Sequence, residues 1–327
     1  MSERPQQEAE IEIARRTRRS LLTGAATAAV AGIAYRLWDR RPQIGMMHRP
    51  QRDAEEFNRA ISQHLLNPAA LSPTYPASRA VKKPYPNGLI GIRKDLDPAS
   101  WRLQLTGLHQ PQGHPRYVED VAAWQYRYHP AFIQTALEID SEADIQQAGA
   151  AGGMSEDNPK KPAPGSTPGD APDQIIPTPT PASGPGLLLT LADIKSLPFV
   201  EQTTEFKCIE GWSEIVTHGG ARFRDFIEAY PPLRNPDGSL PKYAFLSTPD
   251  GTFYSGFEIA ALLHPQTLLC FQISRRDLTP AHGAPLRLTM PIKYGYKQIK
   301  QIASITYTNT QPPDYWASRA YDWHGGL

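Results

Sequence analysis

A proline-rich segment in the middle of the chain sets the first limit on how this sequence can fold. Nine of the 33 prolines lie between Ala151 and Gly186, among Gly, Ser, Thr and Asp and with almost no large apolar residues. Such a composition cannot bury enough apolar surface to form a core. A strand-like stretch precedes the segment and the chemically informative motifs follow it, so we predict a disordered surface insertion at 148–186 within one loop-rich domain.

Composition excludes several classes of protein. The 327 residues carry 34 Lys and Arg against 33 Asp and Glu, so no net positive field favours a nucleic acid partner. Neither a Walker loop nor a G-x-G-x-x-G motif occurs, which disfavours a nucleotide enzyme. Cys208 and Cys270 are too few for a disulfide scaffold or a zinc site. One thiolate can still hold a soft metal when a cofactor supplies the other ligands.

The N-terminus has the pattern of an export signal. The basic stretch Arg15–Arg19 precedes a mildly apolar, Ala- and Gly-rich run from Leu21 to Ala34. This order predicts a twin-arginine signal or N-terminal anchor over residues 1–40, with Arg18 and Arg19 as the pair read by the twin-arginine translocase. The alternative is the basic start of an ordinary helix. We expect a periplasmic protein exported already folded around a cofactor, and an uncleaved segment would anchor it to the membrane.

Periodicity along the rest of the chain indicates an α+β fold. Residues 41–74 read as a linker with a short helix at Asp53–Leu66, and the main domain as 75–327. Within that domain, Phe223, Phe226 and Ile227 predict the buried face of a helix. The other predicted elements are a capped helix near Thr190–Leu197 and strands at Trp101–Gly107, Tyr243–Ser247, Leu268–Ile273 and Ile302–Tyr307.

The first motif with chemical potential surrounds Cys208. It reads Phe206-Lys-Cys208-Ile-Glu210-Gly-Trp212, and the glycine allows the backbone to turn tightly after the cysteine. A lone cysteine is more often a small buried apolar residue than a ligand. Cys270, in the run Leu-Leu-Cys-Phe, fits that simpler interpretation.

The second motif is a basic run near the C-terminal end of the chain. His282-Gly-Ala-Pro-Leu-Arg287 is followed by Pro291–Lys300, which contains Lys293, Lys297 and Lys300. Arginine offers a planar fork for phosphate, and lysines add point charges. The run therefore predicts a site for an anionic ligand. The alternative is a solvated basic strand edge.

Taken together, these motifs resemble the molybdopterin-binding oxidoreductases of the sulfite oxidase superfamily, most closely the catalytic subunits of periplasmic methionine sulfoxide reductases. The resemblance covers roughly Tyr85 to Asp322 and rests on C-x-E-x-W at Cys208, G-A-P-L-R-L at Gly283 and P-x-K-Y-G-[FY]-K-x-I-K at Pro291. It implies a mostly β domain with flanking helices. It also implies one molybdopterin cofactor, with molybdenum held by two pterin sulfurs and a cysteine.

The resemblance assigns roles to individual residues. Cys208 is expected to be the molybdenum ligand, and Glu210 an acid close to the metal whose pKa burial raises for proton delivery. His282 stands where the most similar family has asparagine, and Thr248 is an alternative to Ser247. The expected cofactor contacts are Tyr85, Asn87, Gly88, Ser247, His282, Arg287, Gln298, Ile299 and Lys300.

The expected activity is oxygen-atom transfer, such as reduction of S-oxides of the methionine sulfoxide type. Since the sequence has no haem motif, electrons are expected from a membrane haem or quinol-linked partner. The stretch after Trp316 is shorter than in the reductases, which leaves the substrate open. The sulfite-binding R-N-H-G motif is also absent. Two alternatives stay open: a dehydrogenase of sulfite or another small reductant, and a non-catalytic binding module with the same fold.

Overall fold

The computed structural model describes residues 69–86, 90–129, 182–319 and 321–326, the stretch 27–36, and positions 20, 23, 25, 53, 54 and 57. The chain divides into two compact units, Met1–Ala60 and Ile61–Leu327. In the first unit all the described residues are helical. No helix within the described residues is long and apolar enough to span a bilayer. Arg18, Arg19, Asn87, Gly88 and residues 148–181 lie outside the described residues.

The second unit is built mainly from strands. Its strands are β1 (Leu103–Thr106), β2 (Tyr117–Val118), β3 (Gly186–Leu189), β4 (Phe199–Lys207), β5 (Ser213–Arg222), β6 (Tyr243–Ser247), β7 (Tyr254–Glu258), β8 (Leu268–Ile273), β9 (Arg276–Asp277), β10 (Arg287–Thr289) and β11 (Ser304–Thr308). The α-helices are α1 (Leu191–Lys195), α2 (Phe223–Ala229) and α3 (Ile259–Leu262). Short 3₁₀ turns lie at Ala77–Arg79, Pro98–Ser100, Pro111–Gly113, Val121–Ala123, Pro280–His282, Gly295–Lys297 and Ala317–Arg319.

The strands form two sheets. The first has the order β2-β3-β1-β11-β6-β7, with β1 and β11 parallel and the other neighbours antiparallel. The second has the order β10-β8-β5-β4, and β9 pairs with β8. Its longest pairing is the β4–β5 hairpin, in register from Phe199 opposite Ala221 to Lys207 opposite Ser213. A register shift at Gly219 and Gly220 bends β5 against β8.

Strand β3 corrects the predicted extent of the proline-rich insertion. Ala182 is buried and Gly186 already belongs to β3, so the end of the predicted range 148–186 lies inside the domain. A Cβ at position 186 would come within 2.3 Å of the Leu105 carbonyl oxygen, so the close approach of β1 requires glycine there. The glycine and proline content of this stretch predicted a loop. Gly186 is instead required by close pairing with β1, a contact between residues far apart in sequence that local composition does not reveal.

One large cluster of buried apolar side chains includes residues from both sheets and from the short helices. Trp101, Phe226 and Phe257 are among its largest fully buried members. Burying each such side chain contributes roughly 1.5–3 kcal/mol relative to exposure. The predicted cap of α1 is present, because Thr190 and Asp193 form a reciprocal capping box. The predicted α+β class, mostly β with flanking helices, is confirmed.

Candidate functional site

One face of the second sheet forms a polar pocket. Glu214, Val216 and His218 alternate along β5, so their side chains share one face of the strand. The pocket is lined by Tyr85, Phe206, Glu214, Val216, His218, Ile273, Arg287 and Lys300.

Arg287 is the central cation of the pocket. Its side chain is buried at 4% exposure, and burial lowers the pKa of its guanidinium. The Nη1 atom donates to the His282 carbonyl oxygen at 3.3 Å, whereas Nε has no hydrogen-bond partner among the described residues. A buried cation without an anion is costly to the fold. The buried Arg287 guanidinium is therefore suited to bind an anionic ligand.

Lys300 provides the second cation. Burial, and then the nearby Arg287 charge, lowers the pKa of the Lys300 ammonium to about 7. A thiolate at Cys208 acts in the opposite direction and raises this pKa, which places the cysteine near the pocket through Lys300. Lys300 Nζ donates to the Pro86 carbonyl oxygen at 2.6 Å. An anion beside this ammonium would favour its charged form.

The segment Pro84–Pro86, which we call the strap, is tied to three side chains of the site. His282 Nε2 lies 3.1 Å from the Pro84 carbonyl oxygen, the Tyr85 N–H donates to Glu214, and Lys300 reaches Pro86. Because a carbonyl can only accept, His282 carries its proton on Nε2, and Nδ1 accepts from the Thr279 hydroxyl at 2.8 Å. The strap thus brings Tyr85 to the pocket and joins His282 to it.

Cys208 occupies a tight turn between β4 and β5. Its N–H donates to the Trp212 carbonyl at 2.9 Å, and the Gly211 N–H donates to the Cys208 carbonyl at 3.2 Å. Gly211 has φ +90°, the left-handed conformation expected from the motif. The cysteine side chain is 8% exposed and packs in a small apolar cluster with Phe206 and Val216. Both Phe206 and Val216 also line the pocket.

Glu210 differs from the expectation of a buried acid near the metal. Its side chain is exposed and accepts a hydrogen bond from Trp212 Nε1 at 3.1 Å. The turn after Cys208 directs its side chain to solvent, so Glu210 is not the buried acid that was predicted. The acid that lines the pocket is the half-buried Glu214, which sequence reasoning missed: burial raises the pKa of its carboxyl to about 7.

Several other predicted cofactor contacts are engaged elsewhere. The Ser247 hydroxyl is 2.5 Å from that of Ser304, and the alternative Thr248 bonds Asp250 and Phe253. Gln298 bonds the backbone of Met290 and Lys293, and Ile299 is fully buried in the main core. None of these side chains lines the pocket. Their polar atoms or apolar surface make contacts within the fold, and their assignment as cofactor contacts stays a prediction.

The basic run also separates into two groups. Lys293 pairs with Glu258 at 3.1 Å, and Lys297 pairs with Asp314 in the interior. Their charges are compensated by carboxylates, so the expected role as anion-binding point charges does not hold for them. Arg287 and Lys300 alone of the run's Arg and Lys residues line the pocket.

The residues that sequence reasoning missed are Glu214 and His218. His218 is 2% exposed, and its Nδ1 has no hydrogen-bond partner among the described residues. Burial lowers the pKa of its imidazole well below the usual value, so the ring is neutral at pH 7. The available signal was the alternation of Glu214, Val216 and His218 directly after the cysteine motif.

A metal in this region would need ligands from a cofactor. Within the described residues, no group of three or more His, Cys, Asp or Glu side chains could hold a metal ion. Cys270 cannot assist Cys208, because it is fully buried, its Sγ donates to the Gln272 carbonyl at 2.9 Å, and burial raises the pKa of its thiol. The prediction that Cys270 fills core volume is confirmed.

Comparison with known proteins gives a consistent result. Residues 183–316 match the family model described as oxidoreductase molybdopterin binding domain. The chain is 27% identical over 273 residues to the putative protein-methionine-sulfoxide reductase subunit YedZ1 of Azospira oryzae, covering 83% of this chain and 73% of that protein. It is 33% identical over 150 residues to the protein-methionine-sulfoxide reductase catalytic subunit MsrP of Campylobacter jejuni, covering 42% of this chain and half of that protein.

Among solved structures, the chain matches the sulfane dehydrogenase SoxCD of Paracoccus pantotrophus. The identity is 16%, the TM-score is 0.35, and the match covers 38% of this chain and 36% of that one. This likeness is too low to support a conclusion about the fold. The relationship predicted from the cysteine and basic motifs is confirmed by the family match and the two reductase relatives.

Proposed function

Since residues 183–316 form an oxidoreductase molybdopterin binding domain, we propose that this protein is a molybdenum enzyme that reduces S-oxides of the methionine sulfoxide type by oxygen-atom transfer. Two relatives named as protein-methionine-sulfoxide reductase subunits support this choice of substrate. The chain spans about three quarters of one relative and half of the other. Dehydrogenation of sulfite or another small reductant is the competing reaction.

The observation that carries the proposal is the buried guanidinium of Arg287 with its unpartnered Nε. Molybdopterin has an anionic phosphate, and such a guanidinium requires an anion to offset its desolvation. Lys300 lies in the same pocket and close to Cys208. The residues present therefore fit the cofactor: they offer cations for its phosphate and a thiol for its metal.

When bound, the cofactor would supply two-electron redox chemistry at molybdenum. The chain's own residues would hold and shield it. Arg287 and Lys300 would bind the phosphate, Cys208 would provide a thiolate ligand, and the strap would exclude water beside Tyr85. Glu210, exposed on the turn next to Cys208, is placed to exchange protons with solvent near the reacting centre.

Metal and pterin analysis of the purified full-length protein tests this proposal. We expect stoichiometric molybdenum and pterin, and turnover of methionine sulfoxide with a reduced artificial dye. A parallel assay with sulfite and an oxidised dye separates the two reactions. Absence of pterin would overturn the proposal, and sulfite turnover without sulfoxide turnover would select the competing reaction.

We also propose that the protein is exported by the twin-arginine translocase to the periplasm, where a membrane haem or quinol-linked protein donates electrons. Support comes from Arg18 and Arg19 before an apolar stretch, and from relatives named as subunits. Changing Arg18 and Arg19 together to lysine should retain the protein in the cytoplasm. Changing Arg15 and Arg16 in the same way is the control. Unchanged periplasmic levels in the Arg18 and Arg19 variant would contradict the export proposal.

A further inference from the structure

Strand β5 contributes an acid to a pocket that otherwise attracts anions. Glu214 lines the same pocket as Arg287 and Lys300. Both of its carboxylate oxygens lie 3.1–3.2 Å from the Tyr85 backbone nitrogen. A carboxylate so close to a bound phosphate would repel it. The position of Glu214 therefore calls for an explanation that the cofactor-binding role of its neighbours does not supply.

The Glu214 carboxyl does not form a direct ion pair with Arg287. The two groups interact only through their charges, and Arg287 Nε is left without a hydrogen-bond partner among the described residues. His218, on the same face of β5, adds a second unpartnered atom, Nδ1. The pocket thus keeps two buried polar atoms free for a ligand while a half-buried carboxyl lies beside them.

We propose that Glu214 binds the cofactor as a neutral carboxylic acid, donating a hydrogen bond to the anionic end that Arg287 and Lys300 hold, with His218 as a further neutral contact. This inference rests on the proposed function. It adds two residues of β5 to the cofactor site and makes cofactor binding depend on the uptake of one proton. A protonated carboxyl has one O–H to donate, which a phosphate oxygen accepts.

The surroundings of Glu214 are consistent with this protonation. Burial raises its pKa to about 7, and the Tyr85 N–H and the Arg287 charge lower it less. A phosphate in the pocket adds negative charge and raises this pKa further. The titratable groups facing the pocket are the Arg287 guanidinium, the Lys300 ammonium, the His218 imidazole and the Tyr85 phenol, with His282 behind Arg287. Of these, Lys300 also changes charge near pH 7, so the test must separate it from Glu214.

Cofactor binding should weaken as the pH rises above 7. Above pH 7 the cofactor-free protein loses the Glu214 proton that binding requires, so the dissociation constant of wild type rises roughly tenfold per pH unit from this group alone. In Glu214→Gln the amide remains a neutral donor at every pH. The pH dependence of the dissociation constant in this variant therefore keeps the contribution of Lys300 and loses that of Glu214.

The experiment measures the dissociation constant of the cofactor for the full-length protein, brought to equilibrium from the loaded state between pH 6 and pH 9. Released pterin is quantified by fluorescence after oxidation, and molybdenum is measured in the retained protein. We expect this constant to rise about tenfold per pH unit above 7 in wild type, relative to its change in Glu214→Gln. Glu201→Gln, on the neighbouring strand β4 and paired with Arg275 at the surface, should behave as wild type.

A second measurement reads the protonation of Glu214 directly. Infrared difference spectra of loaded wild type at pH 7.5 should contain a protonated carboxylic acid band that is absent from Glu214→Gln. Equal pH slopes of the dissociation constant in wild type and Glu214→Gln, or absence of that band from loaded wild type, would overturn the inference. Absence of pterin from every preparation would instead remove the proposed function itself.

Discussion

Lys297 is fully buried, and its ammonium group is paired with the Asp314 carboxylate. The same ammonium donates to the Gly256 carbonyl at 2.8 Å and lies about 5 Å from the rings of Phe257 and Trp323. Burial lowers the pKa of Lys297, and Asp314 opposes that change. The pair joins the basic run to the segment after Pro312.

Breaking this pair should destabilise the domain strongly. Replacing Asp314 by Asn leaves a buried ammonium uncompensated, and we expect a loss of about 3–5 kcal/mol in the free energy of unfolding. Denaturant unfolding measures the change. Arg275→Ala, which removes the exposed pair with Glu201, should leave the free energy of unfolding nearly unchanged and serves as the control. Similar losses in both variants would show that Lys297 is not desolvated as described.

Removing the charge of Arg287 should separate stability from cofactor binding. Because its guanidinium is buried and its Nε lacks a hydrogen-bond partner within the described residues, Arg287→Met should leave the cofactor-free protein as stable or stabilise it by about 1–3 kcal/mol. The same change should reduce pterin content at least tenfold. Thermal unfolding of cofactor-free protein and pterin analysis report the two effects. Destabilisation together with full pterin content would contradict the assigned role.

Cys208 should be required for the metal and not for the fold. Cys208→Ser replaces a soft thiolate by a hard hydroxyl, so we expect molybdenum to fall at least tenfold while pterin stays measurable. Cys270→Ala is the matched control, because that thiol is fully buried, donates to the Gln272 carbonyl and does not line the pocket. It should keep molybdenum and lose only stability. Equal metal content in the two variants would rule out Cys208 as a ligand.

Gly283 should be intolerant of any side chain. It has φ +90°, and a Cβ there would lie 1.6 Å from the Lys300 carbonyl oxygen. Gly283→Ala must therefore displace the backbone at Lys300 and reduce cofactor content. Gly251, with φ +68° and no atom within 4 Å of its Cβ position, is the control for backbone strain alone, which costs about 1–2 kcal/mol. Equal cofactor content in Gly283→Ala and Gly251→Ala would show that the close contact with Lys300 does not affect cofactor binding.

Acid stability should depend on Glu258. Burial alone would raise its pKa, but the His324 hydrogen bond and the Lys293 charge outweigh burial and lower the pKa to about 2. A lowered folded-state pKa stabilises the protein above the unfolded value of 4.5, and this stabilisation is lost as pH falls towards 2. The contribution is on the order of 3 kcal/mol. Glu258→Gln should therefore flatten the loss of unfolding free energy between pH 5 and pH 2, relative to Glu201→Gln.

Sequence patterns predicted the strands, helix caps and turns well where residues close in sequence determine them. Strands at Tyr243–Ser247 and Leu268–Ile273 have the predicted bounds, because each is a short apolar run between turn residues. The cap at Thr190 and the turn at Gly211 likewise follow from neighbouring residues alone. The family motifs around Cys208 and Arg287 were confirmed by the domain match.

The site itself was predicted only in part, because partners distant in sequence decide it. Lys293 and Lys297 resemble anion-binding residues until Glu258 and Asp314 are seen to pair with them. Glu214 and His218 look like the solvent-facing side of a strand. Their strand lies between β4 and β8 with this face turned to the pocket, so the same alternation half-buries Glu214 and fully buries His218.

The parallel pairing of β1 with β11 has a consequence for how the protein is made. Leu105 lies opposite Ile305, two hundred positions later, at the centre of the first sheet. During synthesis the ribosome therefore delivers β1 long before its neighbour exists, and this sheet cannot close until β11 has emerged. Domain assembly must be a late event relative to translation, since non-local strand pairs form slowly and only after the intervening chain is available.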